Sequence, residues 1–392
     1  MPWKNKTEFE QRCNLIQQIR AQNGSITQLS RQFNVSRKTA HKWMKRFTES
    51  GLANLQNRPS VAQRVPHKFD LKWRRRARQM RLRHRFWGPR KLRHRLVSAY
   101  GVRGSPSRST LGRWLQEWKM VTSVRRRTRR GPMRLSRPWR KVTAPNAVWT
   151  ADFKGWFRLG DGTRIEPLTV RDLVSRYALK VSLLRQQNVA VSIPVFRQLF
   201  HQHGLPRAIR VDNGSPFGSK GPAGLTRLSA WWIRLGIEVQ FIRPAHPQDN
   251  GAHEQFHRVM KDETIRKPAK TWRGQNRRTQ SWLEQYNQQR PHEALQMRTP
   301  SQLYRASPRK PGKELRAWRY PHGWMTRWVK SNGMMHWKGK VLFIGEAFGR
   351  QQVALRERAK AIWEVRYCRL LIGELWERDQ GAMRPAHYHR GR

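Results

Sequence analysis

The sequence predicts a multidomain α and α/β chain: helix-turn-helix modules first, then a mixed five-stranded sheet with helices on its faces, then a small β-barrel. Three observations predict it. Capping residues and apolar spacings of helical period fill the first third of the chain. From about residue 145 the pattern changes to β-rich runs, which then alternate with helical ones. Beyond about residue 309, short strand-like runs separated by glycine turns return. At 392 residues the chain has room for roughly two to four domains with real cores. The expected divisions are 1–60, a helix-turn-helix DNA-binding domain; 61–121, a second helical DNA-binding module; 122–144, a basic linker; 145–308, a catalytic core; and 309–392, a barrel-like C-terminal domain.

Residues 7–51 read as three short helices. Thr7 with Glu10 forms a capping box ahead of an apolar face of Phe9, Cys13 and Ile16, and Gly24 stops that helix. Ser25 with Gln28 caps the next helix, which carries Leu29 and Phe33; Asn34-Val35 then turns the chain. Ser36 caps a third helix whose inward face is Ala40, Trp43 and Phe47 and whose outward face holds Arg37, Lys38, His41, Lys42, Lys45 and Arg46. Helix, tight turn and basic helix is the order in which the last helix enters the major groove of DNA. Residues 70–121 repeat the plan. Trp73, Ala77 and Met80 mark one helix, Pro89 opens a second with Leu92 and Leu96, and Ser107 or Ser109 leads a third with Leu111, Trp114 and Trp118. The stretch VTSVRRRTRRGPMRLSRPWRK (121–141) then holds nine basic residues and no acid, a composition that stays extended unless it binds.

The strand region opens with VWTADFKGWF, turns at Gly160-Asp161-Gly162, and continues with IEPLTV and YALKVSLL as an antiparallel meander. A helix over about 190–203 with Val195 and Leu199, strand AIRVD, a helix around Leu225–Leu235, strand IEVQFI and a long helix from near Ala252 complete the core. In the last part, Ser331-Asn332-Gly333 is a hairpin turn, and HWKGKVLFIG, QQVALR and IWEVRYCRLLIGEL are strand segments.

Charge narrows the function classes. With 82 Lys and Arg against 24 Asp and Glu the net charge is +58, which calls for a polyanionic partner. No uncharged apolar run is long enough to span a bilayer, so a membrane partner is not expected. Cys13 and Cys368 are too few for a disulfide framework or a cysteine-based zinc site, and the start MPWKNKTEFEQR lacks the apolar core of a secretion signal. The expected setting is the cytoplasm, in association with the nucleoid.

Against this charge the acids stand out. Between Asp172 and Glu238, Asp212 is the only carboxylate, and it ends the apolar run Ala208, Ile209, Val211. Asp152 falls in the first strand and Glu254 at the start of the long helix. Three acids converging beside a bound nucleic-acid backbone would form a cage for divalent cations, which activate an oxygen nucleophile and stabilise a leaving oxyanion. At about 100° per residue, His257, Arg258 and Lys261 fall within about 60° of Glu254, while Phe256, Val259 and Met260 cluster opposite. Arg258 and Lys261 are therefore further DNA-contact candidates. Asp161 reads as a turn residue, Asp172 as a partner of Ser175 or Arg176, and Asp249 as a rival to Glu254 set in the turn HPQDNG. Asn213, Gly214 and Asn250-Gly251 shape the loops beside the acids; Arg290-Pro291-His292 serves packing or backbone contact.

The set WTADFKGWF, RVDNGSPF, RPAHPQDNGAHEQFHRVMKDE and YNQQRPHEALQMRTPSQLY, in that order, resembles bacterial insertion-sequence transposases of the DDE superfamily, whose core is similar to that of retroviral integrases. The resemblance extends over nearly the whole chain, including the opening ITQLSRQFNVSRKTAHKWMKRF. It implies a ribonuclease-H-like sheet and a catalytic, metal-binding triad that maps by motif onto Asp152, Asp212 and Glu254. It also implies a pair of Mg²⁺ ions, with Mn²⁺ able to substitute, and double-stranded DNA (element ends and target) bound by a homo-oligomer. The implied reaction is cleavage at element ends to free a 3′-hydroxyl, which attacks target DNA. Two departures stand out. The second acid and the Glu are 254 − 212 = 42 positions apart, wider than the spacing that names the superfamily, with the excess expected in GSKGPAG (218–224). Asp249 and Ala252-His253 also occupy positions where relatives carry other residues. The rival expectation is a non-catalytic helix-turn-helix DNA-binding protein, or an inactive remnant of an element.

Overall fold

A computed structural model of the chain describes residues 7–57, 69–121, 142–242, 250–312, 317–379 and 381–386. Most of the expected basic linker, and Asp249, lie outside the described residues. The chain divides into two compact units, Met1–Lys68 and Phe69–Arg392.

The first unit is the expected trihelical module: α1 (Glu8–Arg20), α2 (Ile26–Gln32) and α3 (Arg37–Ser50). Thr7 with Glu10 and Ser25 with Gln28 form reciprocal capping boxes, and Ser36 caps α3 through Thr39 N. Asn34 turns the chain at φ 52°, a left-handed conformation that asparagine tolerates, and Gly51 ends α3 at φ 65°. Leu15, Ile16, Ile19, Leu29, Ala40, Trp43 and Leu55 form the core. Phe9 and Cys13 pack at its margin.

The second unit begins with α4 (Leu71–Arg83), α5 (Pro89–Tyr100) and α6 (Arg108–Glu117). Pro89 occupies the first turn of α5, and Ser107, not Ser109, caps α6 through Thr110 N. Trp73, Ala77, Trp87, Leu92, Leu96, Leu111, Trp114 and Leu115 close a separate core.

The mixed sheet follows, from β1 (Val148–Phe153), β2 (Phe157–Arg158), β3 (Arg164–Asp172), β4 (Ala178–Leu184), β5 (Ala208–Val211) and β6 (Glu238–Phe241). β3 pairs antiparallel with β4 on one edge and with β1 and the short β2 on the other. β5 is parallel to β1, and β6 to β5. The five main strands thus run β4-β3-β1-β5-β6. Alternation along β1 puts Trp149, Ala151 and Phe153 against α7 (Val189–His203) and α8 (Arg227–Arg234), through Phe196, Leu199, Phe200, Leu228 and Trp232. The opposite face, with Ile165, Val181 and Leu183, is covered by Phe256 and Met260 of α9 (Gly251–Met260) and by Trp282, Leu283 and Tyr286 of α10 (Trp272–Gln288). The expected long helix is broken: α9 loosens into a π-helical turn over Lys261–Ile265 before α10 begins. Residues 218–224 close on themselves, Ser219 N donating to Gly224 O at 3.0 Å. A short helix α11 (Pro300–Leu303) ends the core.

The C-terminal part is one antiparallel sheet of β7 (Met325–Val329), β8 (Met334–Trp337), β9 (Lys340–Phe343), β10 (Gln351–Ala359), β11 (Ile362–Tyr367), β12 (Leu370–Trp376) and β13 (Arg384–Pro385). Its order is β13-β12-β11-β10-β7-β8-β9. It curls: Phe343 exchanges backbone bonds with Gly381 and Met383, so the two edges approach at one end. The run HWKGKVLFIG is not one strand but parts of two, turned at Lys338 (φ 44°) and Gly339 (φ 72°). The run IWEVRYCRLLIGEL likewise folds as a hairpin, β11 to β12. The sheet docks on α8, Tyr367 donating to Ala230 O at 3.3 Å and Arg234 to Gln351 at 2.6 Å.

Candidate active site

The parallel pairing of β1 and β5 sets the site. Val148 lies opposite Ala208, Trp149 opposite Ile209 and Thr150 opposite Arg210. Two residues further along both chains, the same register brings Asp152 beside Asp212, at the carboxyl ends of neighbouring strands. Alternation sends Thr150 and Asp152 to the face covered by α9, away from the Trp149 side. Glu254 stands exposed on the first turn of α9.

Electrostatics couples these acids. Burial, then the charge of Asp212, with a further contribution from Glu254, pushes the Asp152 carboxyl up to about 7, against the backbone N–H of Phe153 and the ammonium of Lys154. Burial also raises Asp212, opposed by the N–H of Gly214. Asp212 Oδ1 is buried without a hydrogen-bond partner among the described residues. Gly214 leaves room there: a Cβ at that position would lie 3.3 Å from Asp212 Oδ2. Two buried carboxylates that repel each other, one with an orphaned oxygen, are a donor set suited to a divalent cation.

A polar cluster adjoins Asp152 that the sequence reading missed. Thr169, opposite Asp152 on β3, donates its hydroxyl to the Asp152 carbonyl at 3.0 Å. The Nε2 atoms of His253 and His257 approach the same hydroxyl at 2.6 and 2.7 Å, and His253 Nδ1 meets Thr150 Oγ1 at 2.8 Å. His257 Nδ1 lies 3.8 Å from Asp152 Oδ2, which also accepts from Asn250 Nδ2 at 3.3 Å. Ligand atoms of Asp152, His253 and His257 all fall within 4.8 Å of one another. Burial drives both imidazoles down, His257 to about 3 with help from Lys154 and Arg171, so both rings are neutral at ordinary pH. Arg171 donates to the carbonyl of Ala252 and so ties the start of α9 to β3. The helical-wheel expectation therefore needs one correction. His257 does not share an open face with Glu254; it is 7 % exposed and turned to the sheet. Two histidines and two strand threonines satisfy one another, and that pairing is invisible in a single helix's periodicity.

The remaining candidates fall as follows. Arg37, Lys38, His41, Lys42 and Lys45 are exposed on α3, whereas Arg46 is half-buried and stacks 4.8 Å from the Trp43 ring. Arg258 and Lys261 are exposed at the end of α9 and just beyond it, and Lys261 acts on Lys154 beside Asp152. Asp161 accepts from Thr163 N in its turn, and Asp172 accepts from Ser175 and from Asn146 N, both structural roles. Arg290 is buried in an ion pair with Glu263 at 2.6 Å, which resolves it as packing. Among the described residues no helix is long and apolar enough to cross a membrane.

Comparison with known proteins adds the following. Residues 142–247 and 235–300 each match a family described as an integrase core domain. Residues 11–60 match a helix-turn-helix domain, 39–115 a homeodomain-like domain, and 324–381 the C-terminal domain of the IS481 family transposases. Over 230 residues the chain is 29% identical to the "Insertion element IS407 uncharacterized 31.7 kDa protein" of Burkholderia multivorans, spanning 58% of this chain and 79% of that protein. It is 28% identical over 221 residues to the "Insertion element IS476 uncharacterized 39.2 kDa protein" of Xanthomonas euvesicatoria, spanning 56% of this chain and 61% of that protein. Among solved structures, the catalytic core domain of HTLV-2 integrase in complex with magnesium aligns with 41% of this chain and 98% of its own, at 17% identity and a TM-score of 0.33.

Proposed function

We propose, from the premise that this chain belongs with the bacterial insertion-sequence transposases that carry an integrase core domain, that it binds the ends of an insertion element and catalyses metal-dependent DNA cleavage and strand transfer. The observation that carries the reading is the electrostatic coupling of Asp152 to Asp212, which stand at the ends of the neighbouring parallel strands β1 and β5, with Glu254 adding to it. Close together and mutually repelling, these carboxylates would hold divalent cations, Mg²⁺ or in its place Mn²⁺. Such cations activate an oxygen nucleophile and stabilise the leaving oxyanion of a phosphodiester.

The chain's own residues supply the rest. Asp152 is held within β1 by its pairing with Thr169, and Asp212 directly follows the last residue of β5. Glu254 reaches the same region from a helix whose first turn is anchored by Arg171. Arg258 and Lys261 extend a cationic surface along α9 for the phosphate backbone, and Arg37, Lys38, His41, Lys42, Lys45 and Arg46 serve the element ends. Double-stranded DNA is the partner, as element end and as target, bound by more than one copy of the chain.

The test is a labelled element end incubated with the protein and Mg²⁺ or Mn²⁺. Asp152→Asn, Asp212→Asn and Glu254→Gln should each reduce cleavage and strand transfer to the level without enzyme while leaving end binding almost intact. Near-normal cutting by any one variant removes that residue from the set. A wild-type chain that binds ends but never cuts them leaves only the DNA-binding reading.

A further inference from the structure

We propose that Trp156, flanked by Arg158 and Arg164, is a stacking platform for an unpaired base of the bound DNA, close to the phosphate that is cut. The proposal rests on the strand-transfer reading above and adds to it a positioning residue that meets the DNA and not the cations.

The backbone turns this side chain outward. β1 pairs with β3 as far as Phe153 opposite Leu168, and Lys154 N still donates to Pro167 O at 3.0 Å. β2 resumes the pairing with Phe157 opposite Ile165 and Arg158 opposite Arg164. Between the two ladders, Lys154, Gly155 and Trp156 stand against only Glu166 and Pro167, which is a β-bulge. Gly155 takes its left-handed residue, at φ 82°. The extra residue shifts the alternation by one, so Phe157 packs with Ile165 on the core while Trp156 stays 57 % exposed. Bulges of this kind re-aim a side chain beside a functional site.

The chemistry around the ring suits a nucleotide. The guanidinium of Arg164 lies 5.1 Å and that of Arg158 5.8 Å from the indole, beyond the roughly 3.5–4.0 Å of direct stacking, so the cations flank the ring and leave it open. Arg158 and Arg164 face each other across the two strands, and like charges so placed weaken the pairing. Arg164 pairs with Glu166 at 2.7 Å, whereas Arg158 donates to the uncharged Gly162 O at 2.9 Å. A phosphate brought to the two guanidiniums would offset their repulsion, and its base would meet the indole. Such stacking accepts any base, because every base has a π-face. Asp152 lies four residues upstream, so its Cα is at most about 14 Å away, roughly four nucleotides at about 3.4 Å each. Between them, the Lys154 ammonium is lowered by burial and by Lys261 and held up by the charge of Asp152. Trp272 and Trp328 are also exposed, but the first is tied by its indole N–H to Leu183 O at 3.1 Å and the second lies on β7, away from the core.

The test measures binding of the full chain, without divalent cations, to a labelled element end and to the same duplex with one abasic nucleotide at each position beside the element terminus in turn. Trp156→Ala should weaken binding of the intact end by about 5- to 150-fold, and Trp156→Phe far less. With the abasic nucleotide at one position, within about four nucleotides of the terminus, the Trp156→Ala variant and the unsubstituted chain should bind alike. Arg158→Ala should instead lose affinity equally on intact and abasic ends, as a phosphate contact does. Iodouracil placed at that same position should cross-link to Trp156 on illumination, as read by mass spectrometry. An equal loss by Trp156→Ala on every duplex makes the ring a structural residue, and no loss on any makes it a solvated one; either overturns the proposal. Because binding is read without cations, an end held in this way but never cut sinks the strand-transfer reading and leaves the platform. Should Trp156→Ala fail to fold, the cross-link from the unsubstituted chain decides the matter alone.

Discussion

At the scale of single residues, the site is built at a cost that Asp152 carries. Its carboxyl is displaced from an ordinary value of 3.8 to about 7, with Asp212 and Glu254 adding to burial and with Lys154, His257 and Asn250 facing it. A carboxyl raised in the folded state binds its proton more tightly there than in the unfolded chain. Its stabilising contribution is therefore complete below about pH 3.8 and is lost as pH rises through about 7. Without divalent cations, Asp152→Asn should thus stabilise the protein by roughly 4 kcal/mol at about pH 8, at about 1.4 kcal/mol per pKa unit, and by less than half of that at about pH 5. Adding Mg²⁺ or Mn²⁺ should narrow the gap by stabilising the unsubstituted chain. Urea unfolding at the two pH values measures it, and equal stabilities at the higher pH would show that the acids do not repel across the strand ends. His257 belongs to the same economy of charge: burial holds its pKa down, and its Nε2 is hydrogen-bonded with Thr169 Oγ1 at 2.7 Å.

At the scale of elements, what was legible depended on whether the signal was local. Caps are local: Thr7, Ser25, Ser36 and Ser107 each accept from a backbone N–H three residues on; the first three were readable from residue type and spacing, and the fourth only as a choice between Ser107 and Ser109. Ser36→Ala removes the cap of the exposed basic helix α3, so it should cost about 1 kcal/mol by calorimetry, where Ser36→Asp should restore most of the loss. A cost near zero would mean that packing of Trp43 and Ala40 alone fixes the start of α3. Asp212 stood out in the sequence because an isolated acid ending an apolar run is rare in so basic a chain. The β8–β9 turn was not readable, because Lys338-Gly339 interrupts a run in which Trp337, Val341, Phe343 and Ile344 favour strands. Nor was the cluster of His253 and His257 with Thr150 and Thr169. Its partners lie 103 and 84 residues away from His253, and only strand register says which threonines face α9. Long-range register also decides that Asp152 meets Asp212, which the sequence could require but not derive.

At the scale of the whole molecule, charge and site oppose each other in sign, and that opposition makes a separable prediction. Eighty-two cations against 24 acids bring a polyanion to the surface by a force that does not depend on base sequence. The acids that would do chemistry lie inside that field without neutralising it, and Arg258, Lys261 and Lys154 stand beside them. Binding of DNA should accordingly be steep in salt. If ~6–10 phosphates are engaged, affinity should fall by about 10³–10⁵ between ~50 and ~200 mM monovalent salt. Variants of the two kinds should then differ in slope and not only in strength. Arg37→Ala and Lys42→Ala should each reduce the slope of log K against log salt by about one where they contact phosphate, and relax discrimination between element ends and random DNA where they contact bases. Asp152→Asn and Asp212→Asn, which remove negative charge beside the duplex, should leave the slope unchanged or raise affinity slightly. Fluorescence anisotropy over a salt series, with a labelled end and a random duplex of equal length, separates these outcomes. A slope near zero for the unsubstituted chain would mean that the cations are spent on the protein's own fold, and the nucleic-acid partner inferred from them would fall with it.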